Sequence, residues 1–149
     1  MIAEGRVFVD TNVLIYARDE NAGEKRAVAV RWLRELAVGG RLIVNLQVLN
    51  ELTRWVLRNE SVPLATARSR VDELRRFGES GLQASHVALA WSVRQRLGYQ
   101  WFDCLLLAWA TAEGCRYFLS EDMGHETRYG DLTIINPFRV DPDAFFKAN

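Results

Sequence analysis

Short runs of β-branched and aromatic residues alternate along this chain with longer stretches whose apolar positions recur at helical spacing, and that alternation sets the first structural expectation. Arg6-Val7-Phe8-Val9 reads as a strand that stops at Asp10, after which Thr11 and Asn12 offer helix-capping chemistry. From Lys25 to Val38 the apolar residues Ala27, Val30, Leu33 and Leu36 predict a helix, ended by Gly39-Gly40. Arg41 to Val44 reads as a second strand. Helices are expected over Gln47–Asn59, from Leu64 to Phe77 just after Pro63, and over His86–Leu97, where Gly98 closes the last. Asp103 to Glu113 is apolar almost all round, the mark of a helix buried on several sides, and Gly114 stops it. Arg116–Leu119 and Leu132–Ile135 complete the strands, and the tail from Asp141 reads as a short helix.

Strands separated by helices imply crossover connections, so the pattern predicts an α/β fold with a parallel sheet covered on both faces. No repeat, low-complexity tract or flexible linker interrupts the 149 residues, and one domain over 1–149 is the simplest account. In sheets of this kind ligands bind beyond the carboxyl ends of the strands, which says where chemistry should be sought.

Composition narrows the partners. Lys plus Arg and Asp plus Glu number 19 each, so a nucleic-acid reading has to rest on a site and not on a bulk basic excess. No apolar run reaches the roughly 18 residues of a membrane span, and the opening MIAEGRVFVDTN has no long apolar segment of a signal peptide. Two cysteines, Cys104 and Cys115, suit reduced, packed thiols, and the expected setting is cytoplasmic. The two histidines, without a CxxC pattern, do not make a zinc site.

Four acids stand out by position. Asp10 follows the first strand directly, and Asp122 follows the end of the Arg116–Leu119 strand by three residues. Asp103 opens the buried helix, where the N-terminal dipole favours its ionised form. Glu51 lies just off the edge of the apolar stripe formed by Val48, Leu49, Leu52, Trp55 and Val56. Each acid has an ordinary reading by itself: a helix cap, a solvated helix residue, a dipole-paired acid, a loop residue. Brought together they would repel, so that one takes up a proton or a cation sits between them. Oxygen donors of this type suit Mg²⁺ or Mn²⁺, which would acidify a bound water and neutralise charge on a phosphodiester.

The segments FVDTNVLIYARD, QVLNEL, WFDCLLLAWATAEGC and FLSEDMGHETRYGDLTIINPF resemble, in that order, the successive blocks of the PIN-domain family, with a particular likeness to VapC-like toxins of bacterial toxin–antitoxin pairs. The family's four acids fall on Asp10, Glu51, Asp103 and Asp122. Its small polar residue two places after the first acid falls on Asn12, and the hydroxyl residue before the fourth acid on Ser120; both would support the acids from behind. The resemblance implies a three-layer α/β/α sandwich with a central parallel sheet, a divalent-metal-dependent endoribonuclease using Mg²⁺ or Mn²⁺, an RNA substrate, a homodimer and a partner antitoxin. Glu121 beside Asp122 leaves a choice of fourth acid, with the register favouring Asp122. Asn45 and Leu46 depart from the small hydroxyl residue that many relatives carry before the glutamate helix.

Beyond the acids, Arg128 and Tyr129 are expected on a loop near the site, where they could meet RNA, and His125 reads as a surface-loop histidine. Arg68, Arg70, Arg75 and Arg76 read as a solvated helix face paired with its own acids more readily than as a phosphate-binding face. The rival functions are a catalytically inert PIN scaffold that binds RNA or a protein, and a receiver-like or phosphatase domain. The latter lacks a second acid after DTN and the lysine a receiver needs; an NTPase lacks its GxxxxGK[ST] loop.

Overall fold

The computed structural model describes residues 5–147. Residues 1–4, part of the opening segment considered for a signal peptide, lie outside the described range. In chain order the elements are β1 (Val7–Val9), α1 (Thr11–Arg18), α2 (Glu24–Val38), β2 (Leu42–Ile43), α3 (Leu46–Asn59), α4 (Leu64–Asp72), α5 (Ala84–Leu97), α6 (Trp101–Ala112), β3 (Tyr117–Leu119), β4 (Arg128–Tyr129), β5 (Leu132–Ile135) and α7 (Pro142–Lys147). The sheet order is β2-β1-β3-β5-β4. The first four strands in that order run parallel, and β4 is an antiparallel edge.

Strand alternation decides which helices cover which face. Val7 pairs with Tyr117 and Phe8 with Phe118, so Phe8 and Phe118 project to one side and Tyr117 to the other. On the first side Phe8 stacks on Phe118 at 5.1 Å and meets Trp109 of α6 at 5.5 Å. On the second, Tyr117 meets Phe145 of α7 edge-on at 4.9 Å, and Phe145 lies 5.1 Å from Trp32 of α2. The sheet is thus the middle layer, with α6 and its partner α5 on one face and α2 with α7 on the other. Seven consecutive residues of α6, Cys104 to Ala110, are buried, as its all-round apolar character requires. Both cysteines are buried free thiols.

Two elements differ from the sequence expectation. The helix expected over Leu64–Phe77 ends at Asp72 and tightens into a 3-10 turn over Glu73–Phe77. Gly78 follows with φ of 135°, and a Cβ there would stand 2.2 Å from the Val44 carbonyl oxygen, so only glycine lets the two segments meet. Val44 N–H donates to the Phe77 carbonyl at 3.1 Å and Leu46 N–H to that of Ser80 at 2.9 Å, anchoring the start of α3. The second difference is β4, which lies where a loop was expected. Ile134 N–H donates to the Thr127 carbonyl at 2.8 Å, and Gly130, with φ of 57°, turns the chain back into β5.

Candidate active site

The register of β1 and β3 brings the first two polar residues beyond the sheet level with each other. Val9 pairs with Leu119, so Asp10 and Ser120 leave the strand ends side by side. Both are buried. Asp10 caps α1: its Oδ1 accepts from Thr11 N–H at 2.7 Å. Its Oδ2 accepts from the Ser120 hydroxyl at 2.8 Å and from the Asn12 amide at 3.2 Å. Asn12 Nδ2 also reaches Ser120 Oγ at 3.1 Å and Asp122 Oδ2 at 3.0 Å. Asp122 N–H donates to Ser120 Oγ at 3.2 Å. Asn12 and Ser120 thus bridge Asp10 and Asp122 and hold the two acids in one arrangement.

Glu51 comes from α3, whose first turn is capped by Asn45: the buried side chain accepts from Val48 N–H at 3.1 Å. Asparagine thus does the capping work that a hydroxyl residue could do at this position. Asp103 lies in the first turn of α6. All four acids line one open cleft of about 730 Å³ at the carboxyl end of the parallel strands. They do not form a closed ligand cage: among the described residues no three His, Cys, Asp or Glu side chains converge closely enough to chelate one ion.

The electrostatics are those of a crowded acid site. Burial pushes the Asp10 carboxyl up to about 7; the hydrogen bonds from Ser120 and Thr11 pull against it, and repulsion from Asp103 and Glu51 adds to the rise. Asp103 is also raised, first by lost hydration and then by Asp122, against a hydrogen bond from Gln100. Glu51 is raised by lost hydration and by Asp103, although Gln47 donates to its Oε1 at 3.3 Å. Thr11 Oγ1 approaches Glu51 but is buried without a hydrogen bond of normal geometry.

The neighbouring acids Glu121 and Asp122 face different partners. Glu121 accepts from the Tyr16 hydroxyl and from Lys25 Nζ, and lies apart from the lining of the acid cleft. Although desolvation opposes it, those hydrogen bonds hold the Glu121 carboxyl below its ordinary range. Asp122 alone of the pair faces the other acids.

Arg128 and Tyr129 are not brought to the site. They sit on β4 opposite Thr133 and Leu132, level with the amino ends of β3 and β5, because the chain runs down the sheet edge after Asp122 before turning at Gly130. Tyr129 shares a 2.8 Å hydrogen bond with Ser92, and Arg128 lines a separate hollow. The expectation of a loop near the acids is corrected accordingly. His125 Nδ1 accepts from Asn136 N–H at 3.0 Å and His86 Nδ1 from Gln83 N–H at 2.9 Å, so both histidines fasten backbone. Arg68 pairs with Asp72 and Arg75 with Glu79, while Arg70 reaches Glu60.

Sequence reasoning missed Arg54 and Arg58, which line the acid cleft together with Gln100. The signal was available: they follow Glu51 by three and seven positions and share its face of α3.

A PIN-domain family model matches residues 7–129. The chain belongs to the PIN-domain family. No curated protein matches the sequence. Among solved structures, a toxin–antitoxin complex from Klebsiella pneumoniae is similar at 15% identity, over 88% of this chain and 97% of that one, with a TM-score of 0.64. VapBC2 from Rickettsia felis, bound to a DNA fragment from its promoter, matches at 18% identity over 86% and 96%, with a TM-score of 0.63. VapC20 from Mycobacterium tuberculosis, a Sarcin-Ricin loop cleaving toxin, matches at 17% over 78% and 91%, with a TM-score of 0.58. At these identities what is shared is the fold. Among the described residues no helix is long and apolar enough to cross a membrane.

Proposed function

We propose that this chain is a divalent-metal-dependent endoribonuclease, the toxin of a toxin–antitoxin pair, with Asp10, Glu51, Asp103 and Asp122 as its reactive carboxylates. The single observation that carries this reading is the buried Asp10, whose pKa is driven to about 7 in a cleft shared with three further acids. Holding such a group there costs stability unless a cation offsets it.

The donor set suits Mg²⁺ or Mn²⁺: every group is an oxygen, and the buried Thr11 hydroxyl, beside Glu51, has no hydrogen bond of normal geometry among the described residues. The absence of a three-acid cage is compatible with Mg²⁺, which usually keeps several waters and takes only one or two carboxylates. Asp10, Glu51, Asp103 and Asp122 would hold the ion, one or two of them directly and the others through its bound waters. When bound, such an ion acidifies water and neutralises charge on the phosphodiester under attack. The chain's own part is positional. Ser120 and Asn12 fix the orientation of Asp10 and Asp122, so no reorganisation is needed when substrate arrives. The cap on Thr11 N–H and the Ser120 hydroxyl keep Asp10 partly ionised despite burial. Asp103, half-buried at the amino end of α6, gains from the helix dipole.

The PIN family and the toxin–antitoxin proteins that share this fold support an RNA substrate, an antitoxin partner and a homodimer. VapC20's description as a Sarcin-Ricin loop cleaving toxin makes structured ribosomal RNA the first substrate to try. The structure favours this reading over an inert scaffold, because it holds Asp10 and Asp122 together by a hydrogen-bond network in the cleft they share with Glu51 and Asp103. The experiment is metal-dependent cleavage beside isothermal calorimetry: cleavage with heat of Mn²⁺ binding supports the enzyme, and neither signal supports the scaffold.

A further inference from the structure

The acid cleft holds two cations that the acids do not use. Arg54 and Arg58 line it, yet among the described residues neither makes a salt bridge, although four carboxylates share the cleft. Unpaired arginines also occur elsewhere among the described residues, Arg34 and Arg139 for example, so what sets Arg54 and Arg58 apart is their place: both line the cleft that holds the four acids. Arg58 in the last turn of α3 complements the helix dipole, but Arg54 in mid-helix has no such role. The cleft continues beyond them. Trp55 and Asn59 also wall a second hollow of about 720 Å³, which contains Arg26. Glu51 to Asn59 spans eight residues of helix, ~12 Å at 1.5 Å per residue, the reach of a few nucleotides.

We infer that Arg54 and Arg58 bind the phosphates of the RNA strand next to the scissile bond, and that the strand leaves the acids along α3 over Trp55 and Asn59. The inference rests on the nuclease reading above. Guanidinium forks suit phosphate oxygens, and two unpaired cations on the Glu51 face would counter the repulsion between a polyanion and the acids. Trp55 offers an aromatic surface at the junction of the two hollows, where a base could stack. In the second hollow Arg18 and Arg70 are already held by Glu60, at 2.8 and 2.9 Å, and Asp19 and Glu20 also line it, so Arg26 is the cation there without an ion pair among the described residues.

The test measures RNA binding and cleavage with full-length protein. In an Asp103→Asn background, affinity for a single-stranded oligonucleotide is measured against salt for the parent, Arg54→Ala, Arg58→Ala, the Lys replacements and Arg128→Ala. Each Ala variant should bind several-fold more weakly and flatten the log–log salt dependence by about 0.7 for each phosphate that the protein no longer neutralises. Lys should restore the slope, Arg128→Ala should match the parent, and in the active enzyme KM should rise more than kcat falls. Unchanged slopes in both Ala variants, with the parent binding and the active enzyme cleaving normally, would overturn the phosphate assignment alone. If the parent binds no RNA and the enzyme cleaves none, the nuclease reading falls and takes this one with it.

Discussion

Ser120 donates its hydroxyl hydrogen to Asp10 Oδ2 at 2.8 Å, across 110 positions of sequence, and both groups are buried at the end of the central strands. This hydrogen bond lowers the pKa of an acid that burial raises. Ser120→Ala removes it and takes away the acceptor of Asp122 N–H, while Asn12 Nδ2 keeps Asp10 and Asp122 as partners. Cleavage should fall about 10–100-fold, and the pH at which metal binds half-maximally should move upward. Calorimetric titration with Mn²⁺ across pH checks both the size of the effect and its direction.

Asp10 also fixes a pH dependence of stability. Its folded pKa, about 7, exceeds the ordinary 3.8, so between those values the folded state binds more protons than the unfolded one. Its contribution is fully present below about pH 4 and is lost as pH rises through 7. Asp10→Asn keeps an oxygen for the Thr11 N–H cap and removes the titration. In metal-free buffer at pH 8 the variant should be more stable by on the order of 1–4 kcal/mol, with the advantage vanishing toward pH 4. Denaturant melts at the two pH values measure it. A variant less stable than wild type at pH 8 would argue against a strained, buried carboxylate.

The adjacent acids Glu121 and Asp122 separate by partner. Glu121 is held by Tyr16 and Lys25, so Glu121→Gln should lower stability by about 1 kcal/mol and leave most cleavage intact. Asp122→Asn should reduce cleavage about 100-fold or more with little change in melting. Parallel activity and melting measurements on the two variants decide the assignment.

Asn45 caps the helix that carries Glu51, and its side chain is buried. Asn45→Ala should cost roughly 1 kcal/mol of stability, and Asn45→Ser less, since serine is an equally good cap. Thermal denaturation of the pair measures the difference.

Asp10, Asp103 and Asp122 were legible from position, because they follow strands or open a helix, whereas Glu51, inside α3, was marked by its place beside the apolar stripe and by the family resemblance. Val7-Phe8-Val9 is apolar on both faces, which marks a central strand, and Asp10 is the first residue past it. The all-round apolar helix after Asp103 left that acid at an amino terminus. What stayed hidden depended on contacts between distant segments. Arg128 and Tyr129 form a strand only because Ile134 and Thr127 pair, and two residues, one exposed and one half-buried, are too few to show a strand's alternation. The break after Asp72 follows from the close approach of Gly78 to Val44, which no local pattern encodes. Arg54 and Arg58 are linked to Glu51 by their spacing on α3, but no local pattern separates a cleft-lining arginine from a solvated one.

The most direct test incubates the purified protein with structured ribosomal RNA in Mn²⁺, Mg²⁺ or EDTA, beside Asp103→Asn. Discrete cleavage that requires the metal and disappears in the variant is the predicted result. Cleavage that persists in EDTA, or equal cleavage by Asp103→Asn, would contradict the account that these four acids act with a divalent ion on RNA.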